Sequence, residues 1–179
     1  MGSRIILPYG PTNEYIQKCI PRDTSLEGIE FPSLDEYMDT GLLNIEKITK
    51  SELRTAVEQQ YGEWFSWFAA TDEHRRLLAP IVGTEYDEYN LPILYFPRFI
   101  PIVDEGLVYK YNNTENLIIM GMRLDQLNIT EEEVLDFLRE IPILCDYLEL
   151  NEEDILNNPS NIGYNSTFGL RIIDYGLAR

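Results

Sequence analysis

From Leu53 to Phe68 the apolar residues Leu53, Ala56, Val57, Tyr61, Trp64, Phe65 and Phe68 recur at helical spacing. A stripe this broad and aromatic leaves water only if other chain covers it, so this helix is expected to be buried on one face to about Ala69. Thr49 and Glu52 have capping-box spacing and mark where it should begin. Trp64 and Trp67 then read as core and rim packing. Around this helix the rest of the fold has to be arranged.

Local signals divide the remainder into short pieces. Residues 1–45 read as irregular, with short strands and turns punctuated by Pro8, Pro11, Pro21 and Pro32, and Ser33 to Glu36 has capping-box spacing for a short helix to about Asp39. Leu78 to Gly83 is short and apolar, followed by an acidic turn from Glu85 to Asn90. Leu91 to Ile102 is a second strand whose prolines point to a sheet edge or an exit from the sheet. Gly106 to Tyr111 and Asn116 to Met122 make a further strand pair. Thr130 and Glu133 open a second helix carrying Val134, Leu135, Leu138 and Ile141, with Pro142 as a kink or a join. Asn161 to Ile173 reads as a β-hairpin looped at Asn165 to Gly169. The expected class is α+β: one domain with a small mixed sheet, a long helix after Thr49, a second after Thr130 and the C-terminal hairpin.

Charge narrows the function classes. The 179 residues carry 14 Lys+Arg against 31 Asp+Glu, a formal net charge of −17. Such a surface repels phosphate backbones and anionic lipid, so direct nucleic-acid or membrane-surface binding is not expected, whereas a basic protein partner is. Cys19 and Cys145 have no metal-like spacing and form no disulfide framework, which fits a reducing cytoplasm. The single histidine, His74, sits in the charged run 72–76, where it reads as a solvated helix end or loop rather than a catalytic imidazole.

The last thirty residues carry the most specific signal. Asp154-Ile155-Leu156-Asn157-Asn158-Pro159-Ser160-Asn161-Ile162-Gly163-Tyr164-Asn165 is followed by Leu170-Arg171-Ile172-Ile173-Asp174-Tyr175-Gly176. This stretch resembles the catalytic loop and metal-binding strand of the protein-kinase-like fold, and small kinase-like proteins of bacteriophages look similar at Asn-Ile-Gly-Tyr and Ile-Asp-Tyr-Gly. The resemblance implies a reduced protein-kinase-like fold, with an N-lobe-like part over 1–102 and a truncated C-lobe-like part over 103–179. It implies that Asn161 and Asp174 hold magnesium beside ATP, and that the helix after Thr49 carries the ion-pair glutamate, with Glu58 best placed and Lys47 as its lysine.

Departures from the kinase pattern redirect the functional expectation. Five residues before Asn161, where the catalytic base belongs, stands Leu156, which accepts no proton; Asp154 is the nearest substitute. No glycine-rich loop precedes Lys47, and the sequence ends five residues past Asp174, so an activation segment would be missing. Plainer readings exist for each residue. Glu58 could pair with Arg54 one helical turn before it, Lys47 could be a solvated lysine, and Asp174 and Asn161 could cap turns.

Three functions follow. The first is a catalytically impaired, kinase-like binding protein, viral in character, whose acidic surface engages a basic host protein, with nucleic-acid-binding proteins among the candidates. The second is a minimal Mg-ATP-dependent phosphotransferase, and the third an immunity protein masking a basic toxin. A homodimer covering the apolar face of the helix from Glu131 is a further expectation.

Overall fold

A computed structural model describes residues 4–102, 124–148 and 161–176 of the protein. The chain divides into two units, Met1–Ala69 with Pro80–Arg98, and Ala70–Ala79 with Phe99–Arg179. The class is mixed α and β, and among the described residues the strands form two antiparallel sheets where one small mixed sheet was expected.

In the first unit β1 (Ile5–Tyr9), β2 (Tyr15–Cys19), β3 (Gly83–Tyr86) and β4 (Pro92–Pro97) lie in the order β1-β2-β4-β3. Between β2 and β3 run α1 (Leu34–Thr40) and α2 (Ser51–Ala69). The Ser33 hydroxyl accepts from Glu36 N–H at 3.2 Å, and Gly41 at φ 64° ends α1 in the left-handed conformation. The Thr49 box does not form. α2 begins at Ser51, and Arg54 N–H donates to the Lys50 carbonyl at 3.0 Å.

β4 is a central strand, not the edge its prolines suggested. Pro92 and Pro97 stand at its two ends, where a missing N–H costs the ladder least. The proline that does blunt an edge is Pro8. Arg98 N–H bonds the Glu14 carbonyl at 2.8 Å, which continues the Tyr15–Pro97 register, so Ile16 and Lys18 turn their peptide groups toward β4. Leu7 and Tyr9 then bond to β2, while Ile6 and Pro8 turn outward to an edge that no described strand covers.

The same alternation sorts side chains. Lys18, Leu94 and Phe96 share the buried face toward α2, which buries Leu53, Ala56, Val57, Tyr61 and Trp64. Tyr9, Tyr15 and Tyr95 share the opposite face, with the Tyr9 and Tyr95 rings 4.7 Å apart.

The second unit contains α3 (Asp72–Arg75), β5 (Ile100–Pro101), α4 (Leu124–Leu127), α5 (Glu131–Leu148), β6 (Ile162–Asn165) and β7 (Gly169–Ile172), with sheet order β5-β6-β7. The capping box of α5 closes in both directions: Thr130 Oγ1 accepts from Glu133 N–H at 3.2 Å, and Glu133 Oε2 accepts from Thr130 N–H at 3.0 Å. α5 runs on through Pro142 to Leu148, so that proline is no join. The hairpin forms as expected, its turn held by Asn165 Oδ1 accepting from Thr167 and Phe168 N–H. The expected strands at 106–111 and 116–122 lie outside the described residues. Among the described residues no helix is long and apolar enough to cross a membrane.

The segment before β3 is stitched to β7. Leu78 bridges Ile172 in parallel, Arg171 Nη1 donates to the Arg75 and Leu78 carbonyls, and the Tyr175 hydroxyl donates to the Ala79 carbonyl at 2.7 Å. Tyr175 is 1% exposed, so Tyr175→Phe strips a buried carbonyl of this donor. A loss of about 1–2 kcal/mol in urea unfolding is expected, and an unchanged midpoint would mean that water replaces the hydroxyl.

Candidate functional site

The most constrained polar group of the first unit is a buried ion cluster on α2. Gln60 and Glu63 interrupt the apolar stripe at fully buried positions, so each needs a polar partner inside the protein. Glu63 is 0% exposed. Its Oε1 accepts from Lys18 Nζ at 2.7 Å and its Oε2 from Arg4 Nη2 at 3.1 Å. The two cationic side chains are each 4% exposed.

Gln60 ties the cluster to the sheet. Its amide nitrogen donates to the Lys18 and Pro92 carbonyls, both at 2.7 Å, and its oxygen accepts from Arg4 Nη1 at 3.1 Å. The Lys18 ammonium also lies 4.6 Å from the centre of the Phe96 ring. Burial alone would raise the Glu63 carboxyl, but the charges of Arg4 and Lys18 and their hydrogen bonds outweigh it and hold it at about 2.

The lysine and glutamate expected to pair do not meet. Lys47 lies in the exposed 3₁₀ turn Ile45–Lys47, and Glu58 is exposed on α2. Nor does Arg54 pair with Glu58, because its guanidinium donates instead to the Ile48 carbonyl at 3.2 and 2.9 Å. The strand-lysine to helix-glutamate pair that does form is Lys18–Glu63. The signal available in the sequence was a carboxylate inside the apolar stripe at Glu63, one turn before Trp67.

In the second unit the hairpin brings Asn161 and Asp174 to one end. Ile162 pairs with Ile172, and Ile173 N–H donates to the Asn161 carbonyl at 2.7 Å, so Asp174 follows directly on the residue facing Asn161. Both side chains are half-buried. An amide and a carboxylate are two of the six oxygen ligands that magnesium takes, and phosphate and water supply the rest in nucleotide sites. Among the described residues no group of three or more His, Cys, Asp and Glu is gathered as a metal site. Asp154 lies outside the described residues, as does Leu156.

Comparison of the chain with family models, with curated proteins and with solved structures finds no match in any of the three.

Proposed function

We propose that the protein is a kinase-like binding protein with impaired catalysis, viral in character, and that its acidic surface engages a basic host protein, with nucleic-acid-binding proteins among the candidates. Support for the kinase-like half comes from two arrangements. A strand lysine pairs with a helix glutamate at Lys18–Glu63, as in protein kinases, and Asn161 and Asp174 share one end of a hairpin. Support for impaired catalysis comes from Leu156 at the base position.

The observation that carries the reading is the closure of Lys18. Its ammonium is committed to Glu63, lies against the Phe96 face and is shut from solvent beside Arg4. A kinase lysine must offer a proton donor to nucleotide phosphates, and this one has little surface left to offer. With transfer chemistry impaired, the charge of −17 is the property best suited to recognition.

A melting experiment tests this against the phosphotransferase alternative, which Asn161 and Asp174 favour. With Mg-ATP at about 10 mM and a Kd near 1 mM, binding would stabilise the protein by about 1.4 kcal/mol, a rise of several degrees. The expected rise is below about 1 °C. A Mg-dependent rise of several degrees that disappears in Asp174→Ala would overturn the non-catalytic reading.

A further inference from the structure

On the first unit the chain from Ile29 to Asn44 walls a groove of about 650 Å³, with Tyr89 and Asn90 on its other side. That volume lies within the usual ligand-site range of roughly 300–1,000 Å³. The walls are fixed from behind. Tyr61 Oη donates to the Pro32 carbonyl at 2.8 Å, Asn44 Nδ2 donates to the Glu30 carbonyl at 2.9 Å, and α1 is capped at both ends.

The lining combines two chemistries. Glu30 and Glu36 are exposed, and neither carboxylate forms an ion pair or hydrogen bond with a described residue. Elsewhere on the unit Asp23 is met by Lys50, Glu63 by Lys18 and Arg4, and Glu88 by Arg22. Other surface carboxylates are unpaired too. What sets Glu30 and Glu36 apart is the apolar and aromatic lining they share, made by Phe31, Pro32, Leu42 and Tyr89, with Leu42 72% exposed.

We propose that this groove receives an arginine side chain of a basic protein partner, the guanidinium bound by Glu30 and Glu36 and its stem and plane lying on Leu42 and Tyr89. Charge complementarity selects a cation. The apolar and aromatic lining selects arginine over lysine, because a guanidinium stacks on rings and forks onto carboxylates while an ammonium keeps its water. The proposal rests on the reading of the chain as an acidic binding protein and names the surface that does the binding.

Titration of isotope-labelled protein with hexa-arginine peptide at low salt, followed by amide NMR shifts, tests it. Shifts are expected to centre on Glu30, Phe31, Glu36, Leu42 and Tyr89. Glu30→Gln/Glu36→Gln should weaken binding by about tenfold or more. Glu52→Gln/Glu58→Gln, an equal charge loss on the exposed side of α2, should weaken it less than about twofold. Hexa-lysine should bind at least several-fold more weakly than hexa-arginine, and equal binding would overturn the arginine assignment. Equal weakening by both double variants would overturn the groove and leave the acidic-surface reading standing. No binding by the unaltered protein would overturn that reading, and the groove with it.

Discussion

Replacing Glu63 by glutamine is expected to cost about 3–5 kcal/mol, lowering the melting temperature on the order of 10 °C. The size follows from what is left behind. The side chains of Lys18 and Arg4 are each 4% exposed and would be left buried without their carboxylate. Urea unfolding followed by tryptophan fluorescence measures the loss, and one below about 1 kcal/mol would mean that water reaches the cluster. Removing all the charges together should cost less. Arg4→Met/Lys18→Met/Glu63→Leu leaves no buried ion unpaired, so it should be more stable than the single variant. Acid gives a second readout. The folded pKa of about 2 lies below the ordinary 4.5, so the unfolded chain binds this proton more readily. The contribution is complete above about pH 4.5, shrinks as pH falls and is gone near pH 2. It amounts to about 3 kcal/mol that Glu63→Gln should no longer lose on acidification.

What was legible in the sequence was what short stretches decide by themselves. Ser33 with Glu36, and Thr130 with Glu133, placed two helix starts, because a cap is a bond between residues three apart. The stripe from Leu53 placed α2, and Asn165 with Gly169 placed the hairpin turn. Asn161 and Asp174 came to one end because their separation is spanned by that single hairpin. Pairings across long separations were not legible. β2 joins β4 from nearly eighty residues away, and no local pattern states that Lys18 will face Leu94. The kinase-like resemblance implied an ion pair between Lys47 and Glu58, eleven residues apart, yet in the pair that forms Lys18 is 45 residues from Glu63. Sequence proximity is a poor guide to a buried pair. A charged residue at a buried helical position is a better one, since it has no other way to be satisfied.

Gly163→Val should destabilise the second unit by about 3 kcal/mol and Gly163→Ala by about 2, for want of space rather than backbone freedom. Gly163 sits in the central strand of its sheet, opposite Arg171 on β7 and Pro101 on β5. A Cβ built there would stand 2.8 Å from Ile173 Cγ2, 2.8 Å from Phe99 Cβ and 3.3 Å from Ile173 Cδ1. The isoleucine branch can be trimmed, but Phe99 Cβ is fixed to its own backbone. Ile173→Ala should therefore recover part of the alanine variant's loss, giving a coupling of about 1 kcal/mol in a double-mutant cycle. Additive losses would show that the strand moves as a whole to admit the methyl. The same position bears on Asn161 and Asp174. Asn161 lies two residues before Gly163, and Asp174 directly follows Ile173, whose N–H holds the Asn161 carbonyl. A side chain forced in at 163 pushes on Ile173, so it should loosen that 2.7 Å bond, read as faster amide exchange at Ile173 than at Ile172.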